Sequence, residues 1–195
     1  MKGVCPWLVM LVSFVFSCNE LRRDNDSNLN AIRNEAAAEA NADKFDGKTR
    51  RDARFVYEVV SSDYAGIKIA ELANQRSQSP ELKQIAQRLI ADHTTSLTEL
   101  KTLAQAKAIA LPVEETDPSM RKLERLARES GEDFDKEWCR EMVALHERNI
   151  TKFEERLEDT EDPDLKAFIN KNLLVLKQHH QDLKIFSERQ KKRNV

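Results

Sequence analysis

Two segments of the chain, residues 58–83 and 141–166, align without a gap. Glu58 matches Glu141, Val60 matches Val143, Glu71 matches Glu154, Pro80 matches Pro163, Leu82 matches Leu165 and Lys83 matches Lys166. Each copy holds most of one helix, a tight turn and the start of the next helix. Both turns carry the same punctuation: Ser79-Pro80 and Asp162-Pro163 set a side-chain cap before a proline at the first helical position, where its missing N–H costs nothing. A helix that meets such a turn returns antiparallel to itself. Two hairpins of this kind carry four apolar stripes that bury one another, so the repeat predicts an all-α, antiparallel four-helix bundle.

The stripes have the helical period. The first helix is expected over 52–76, with Phe55, Val56, Val59, Val60, Ile67, Ala70 and Ala73 inside. The second, 80–107, turns Leu82, Ile85, Ala86, Leu89, Ile90, Leu97, Leu100 and Ala104 inward. The third, 133–159, offers Phe134, Trp138, Met142, Leu145, Asn149, Phe153 and Leu157. The fourth starts at the Asp162 cap and carries Leu165, Phe168, Ile169, Leu173, Leu176, Leu183 and Phe186. Between the hairpins, 109–132 forms a crossover in which Asp117-Pro118 opens a short helix reaching Ala127. Its ~24 residues suit a connection along a bundle ~40 Å tall. One long crossover is the ferritin-like arrangement; a plain up-down bundle is the alternative.

The N-terminus reads as a targeting segment. Lys2 precedes an uncharged apolar run over 4–16, shorter than the ~20 residues of a membrane span. The run ends in Val15-Phe16-Ser17-Cys18, which resembles the lipobox of bacterial lipoproteins, with Phe16 where a small or aliphatic residue is usual. The expectation is a lipoprotein signal peptide over 1–18, lipid on Cys18, and anchoring to the outer membrane of the cell envelope on its periplasmic side or surface; an uncleaved signal anchor is the alternative. Residues 19–51 are polar and lack an apolar stripe, so they read as a largely disordered tether, with room for a transient helix around 31–42, ahead of a domain over 52–190. With Cys5 in the leader and Cys18 lipidated, Cys139 has no partner for an intramolecular disulfide and reads as a small buried hydrophobe. The formal charge is −2 with both signs interspersed, and the basic run 189–193 reads as a solvated helix end, so no nucleic-acid partner is expected.

Ser79-Pro80-Glu81-Leu82-Lys83, Ala91-Asp92-His93-Thr94, Leu111-Pro112, Gly131 with Phe134-Asp135, His146, Asp162-Pro163-Asp164-Leu165-Lys166-Ala167-Phe168, Leu176 and His179 follow one pattern. In residue type and spacing it resembles the bacterial domain of unknown function 4142 family, over about 55–186. The resemblance implies a ferritin-like fold and an envelope address, and no established activity. Gly66 stands where that family usually carries a Glu in the first helix.

Four polar residues interrupt the stripes or lie beside them: Asp63, His93, His146 and His179. Each lies ~14–18 residues from its own hairpin turn, or ~21–27 Å at about 1.5 Å per residue. All four therefore fall at one level, near the middle of the bundle. One reading is a layer that hydrogen-bonds within itself or to backbone and fixes register, since an unpaired buried polar group costs ~1–3 kcal/mol. The other is a transition-metal site of three imidazoles and a carboxylate, with Asp92, Glu147 or His180 assisting; Zn, Cu, Fe and Ni all suit imidazole. Isolated core histidines more commonly serve the first role. A di-iron centre needs Glu-x-x-His, but Ile90, Val143 and Leu176 stand three residues before His93, His146 and His179. Gly-x-Ser-x-Gly and phosphate-cradling glycine loops are likewise absent. The expectation is a non-enzymatic, lipid-anchored binding or structural module that requires no cofactor. The alternative is a metal-binding ferritin-like protein, and a third reading is a scaffold that recruits protein partners through its charged helix faces.

Overall fold

A computed structural model describes residues 13–115 and 117–193. Six helices follow one another: α1 Ser13–Lys44, α2 Gly47–Arg76, α3 Pro80–Lys107, α4 Asp117–Leu126, α5 Gly131–Asp159 and α6 Pro163–Arg193. No strand occurs among the described residues.

Both hairpin turns form as their sequences dictate. The Ser79 hydroxyl accepts the Leu82 N–H at 3.3 Å. Asp162 Oδ1 accepts the N–H groups of Asp164 and Leu165, each at 3.0 Å. These bonds satisfy donors that the first helical turn leaves free. At the start of α5, Gly131 takes φ +56°, a left-handed conformation that glycine adopts without Cβ strain.

Helix α2 packs on α3, and α5 on α6; the two hairpins meet through α2 against α5 and α3 against α6. The core divides into two apolar clusters. One gathers Ile69, Ala70 and Ala73 of α2, Leu82 to Leu89 of α3, Phe134 to Met142 of α5, and Leu183 and Phe186 of α6. The other gathers Phe55 to Val60, Leu97 to Ala104, Phe153, and Leu165 to Leu176 of the same four helices. Along each helix the boundary between the clusters falls at the polar interruption: Asp63, His93, His146 or His179. All four of these residues are buried.

The two clusters also fix the direction of each helix. Helix α3 ends beside the second cluster, whereas α5 begins in the first. Between them, α4 tucks Leu126 into the first cluster.

The structure differs from the sequence expectation in the segment 19–51. In place of a tether, α1 runs to Lys44 and α2 begins at Gly47. Helix α1 packs on α2 and is tied to the crossover by two buried asparagines. Asn41 Nδ2 donates to the Ala110 carbonyl and Asn41 Oδ1 accepts the Ala110 N–H, both at 2.8 Å. Asn34 Oδ1 accepts the Val113 N–H at 2.8 Å. The crossover backbone is not helical there, so its polar groups need partners, and the asparagines supply them. Residues 1–12 of the expected leader and the Cys18 side chain lie outside the described residues. No described helix is long and apolar enough to cross a membrane.

Candidate metal centre

His93, His146 and His179 come from α3, α5 and α6, and their rings converge between the two apolar clusters. Ring centroids are 5.8 Å apart for His93–His146, 5.8 Å for His93–His179 and 5.4 Å for His146–His179. One nitrogen from each ring lies within 4.8 Å of the other two.

Each imidazole is anchored through its outer nitrogen. His93 Nδ1 meets Asp63 Oδ1 at 2.8 Å. His146 Nδ1 meets the Met142 carbonyl, one turn back on α5, at 2.8 Å. His179 Nε2 meets Asp92 Oδ2 at 2.8 Å. All three partners are oxygens that only accept, so each outer nitrogen carries the proton and donates. A neutral imidazole has one proton, and each inner nitrogen is then a bare lone pair.

Those inner nitrogens, His93 Nε2, His146 Nε2 and His179 Nδ1, are buried and have no hydrogen-bond partner. They cannot satisfy one another, because all three are acceptors. Burial, followed by the repulsion that a proton on His93 would add, pushes the His146 pKa down to about 3, so protonation is a poor remedy at neutral pH. Burial also lowers the pKa of His179, against the raising effect of the hydrogen bond it donates to Asp92. Three converging neutral lone pairs fit a transition-metal ion. The outer partners fix tautomer and ring orientation, as carboxylates and carbonyls do behind metal-ligating histidines.

The four residues picked out by spacing therefore do meet at one level, with different roles. Asp63 supports His93 from behind and is not among the converging donors. Its second oxygen, Oδ2, is buried without a partner. Asp92 assists His179, whereas Glu147 pairs with His180 outside the cluster at 3.0 Å. The anchoring of His146 is by a backbone carbonyl, which no side-chain pattern announces. Cys139 is buried, donates to the Leu183 carbonyl at 3.2 Å, and has its pKa pushed up to about 12 by burial, so it is no nucleophile.

Gly66 is a further contributor. A Cβ built there would lie 3.3 Å from His93 Nε2 and 3.4 Å from both neighbouring ring carbons. Near-equal distances to the three atoms put that Cβ over the ring face and not along the nitrogen lone pair. The glycine lets α2 approach the face of His93 while the inner nitrogen stays clear. A cavity of about 20 Å³ lies beside the cluster, lined among others by Asp63, Asp92, His93, Ser96, Asn149 and His179.

The fold is similar to solved structures of CopM. CopM in the Cu(II)-bound form is 23% identical, with a TM-score of 0.63, over 71% of this chain and 96% of that one. CopM in the Cu(I)-bound form is 23% identical with a TM-score of 0.62, and the apo form is 25% identical with a TM-score of 0.60, at the same coverage. No curated protein matches the sequence. The profile of the family described as "Domain of unknown function (DUF4142)" matches residues 33–185, and the chain belongs to that family.

Proposed function

We propose that the protein is a metal-binding ferritin-like bundle that holds one transition-metal ion between His93, His146 and His179. The observation that carries this reading is the convergence of three buried imidazole lone pairs with no hydrogen-bond donor among them. A layer that served register alone would pair its inner nitrogens, because each one left bare costs ~1–3 kcal/mol. The antiparallel four-helix arrangement with one long crossover is supported by the alternation of the two apolar clusters along α2, α3, α5 and α6.

Copper is the favoured ion. Imidazole sites bind Cu(II) above the other divalent first-row ions, and the structural neighbours carry copper or silver. The bound ion would supply a charge sink and, for copper, a one-electron couple. The cavity beside the histidines has room for about one water and for no organic substrate. That supports holding or passing on an ion over enzymatic turnover.

Location is part of the proposal. Lipid on Cys18 would hold the domain at the envelope membrane, with the part of α1 that follows Cys18 between the anchor and the helices that carry the site. Cys18→Ala should release the protein from the membrane fraction; an unchanged distribution would remove the anchor.

The test of the site is elemental analysis of the full chain, purified in detergent without a His tag or chelator and then given copper. The expected result is close to one ion per chain, lost in His93→Ala. An absence of bound metal, or equal binding by His93→Ala, would refute the site.

A further inference from the structure

We infer that this site is built for a divalent ion, and that Asp63 sets the preference. The inference rests on the proposal that the three histidines hold an ion, and it concerns the charge that ion must carry.

The converging donors are neutral imidazoles, so they bring no charge to the ion. The charge comes from behind them. The Asp63 side chain is only 6% exposed, and His93 is its sole ion-pair partner among the described residues. A His93 that gives its inner nitrogen to an ion donates to Asp63 as a neutral ring, so the charge of the carboxylate is left for the ion to match. Asp63 Oδ2 has no partner at all. A buried charge without a counter-ion is costly, and a cation in the histidine ring would neutralise it. Asp92 adds a second negative charge behind His179, partly screened because its side chain is 41% exposed.

A divalent ion balances both carboxylates, whereas a monovalent ion leaves one negative charge in the layer. Donor softness points the same way. Soft thiolate or thioether ligands select Cu(I), while imidazole suits Zn, Fe and Ni as well as copper. Among the described residues the converging group contains histidine only, with no cysteine. The carboxylates also raise the basicity of the imidazoles they hold, which favours the harder ion. The site therefore ranks Cu(II) above Cu(I) and Ag(I), and Asp63, as the buried carboxylate, carries most of that ranking.

The experiment is anaerobic chelator competition on the full chain with Cu(II), Cu(I) and Ag(I), comparing wild type with Asp63→Asn. Asparagine keeps an oxygen to accept from His93 Nδ1 and removes the charge. The expected loss in Cu(II) affinity is about 10- to 100-fold, the usual effect of altering an outer partner. Ag(I) and Cu(I) affinities should fall by about 3- to 10-fold, the square root of that loss, since a single positive charge gains half as much from the carboxylate as a double one. The Cu(II)/Cu(I) potential should then rise by about 59 mV for each tenfold difference. Should Asp63→Asn not fold, Asp92→Asn decides the matter, with the same direction and a smaller fold-change. Equal losses for all three ions would overturn the inference and leave these carboxylates as positioning groups. So would a wild type that prefers Ag(I). A wild type that binds none of the three would instead refute the histidine site itself.

Discussion

His146→Leu separates a metal site from a register device in a single variant. His146 is fully buried, and its Nε2 is one of the three bare acceptors. Leucine is of similar size and has a higher helix propensity. It removes one unpaired acceptor, a relief of ~1–3 kcal/mol. Shape mismatch in a core swap of this kind costs less than ~1.5 kcal/mol. The net change in the metal-free protein is then about −0.5 to +3 kcal/mol, or roughly −2 to +12 °C at ~2–4 °C per kcal/mol for a chain of this size.

With metal the order reverses. A ligand present at about 1,000 times its Kd stabilises the native state by ~4 kcal/mol, so wild type should gain roughly 8–16 °C. His146→Leu should gain almost nothing. Paired melts by circular dichroism, with chelator and with copper, give both numbers. The reasoning is refuted if the metal-free variant loses more than ~2 kcal/mol while wild type ignores copper. That result would mean the imidazole contributes to packing through contacts and not as a ligand held in reserve.

Three further outcomes follow from the same geometry. The His146 pKa is depressed in the fold, so below about 6.5 the unfolded chain takes up a proton that the native chain refuses. Stability should be full above that pH and fall as pH drops from about 6.5 towards 3, by ~1.4 kcal/mol per unit for each such imidazole; His179 acts in the same direction. Urea titrations at pH 7.5 and 5 would show it, and His146→Leu should flatten the profile. Gly66→Ala should leave the metal-free melt unchanged or raise it, since alanine in a helix interior is worth ~0.5–1 kcal/mol over glycine. Because the new Cβ presses on the face of His93 at 3.3 Å, the same variant should weaken copper binding in a chelator competition. Asn41→Ala should cost ~1–3 kcal/mol in a denaturant melt, because both of its bonds to Ala110 are lost; no change would mean that α1 is not held to the crossover.

Much of this was legible from residue order. Ser79-Pro80 and Asp162-Pro163 marked the two turns, and each cap bond is present where the pattern placed it. Counting turns of helix from those points brought Asp63, His93, His146 and His179 to one level. Such counting gives height along a helix and says nothing of side-chain rotation. Which imidazole nitrogen faces inward depends on its outer partner, and one of those partners is the Met142 carbonyl, a backbone atom that every residue type carries. Asp63 was counted as a ligand because a carboxylate at ligand height looks like one; its bond to His93 Nδ1 turns it into a support. Helix α1 is a different case. Its sequence carries no apolar stripe and suggests only a transient helix around 31–42, whereas α1 is tied to the crossover through the amides of Asn34 and Asn41. A glycine inside a predicted helix, three residues after Asp63, was the available signal for the close approach at Gly66.

The position of the layer bears on why it persists. On α2, α3, α5 and α6 the apolar stripe breaks at the same height, and the core is split into two clusters there. A slip of one helix by a turn would drive a histidine or Asp63 into one of those clusters, so the layer does specify register. Register alone needs only that the polar groups pair with one another, and a histidine donating to an inward oxygen would do. Here every donor N–H points outward, to Asp63, Met142 or Asp92, and every lone pair points inward. That polarity is the reverse of a self-satisfied network. It leaves the centre of the protein with acceptors only, beside a buried carboxylate that has no cation. Both deficits would be met by the proposed ion, a positive charge that accepts lone pairs. The same four residues fix the register of the helices, and the buried unpaired ring nitrogens are what that ion would bind.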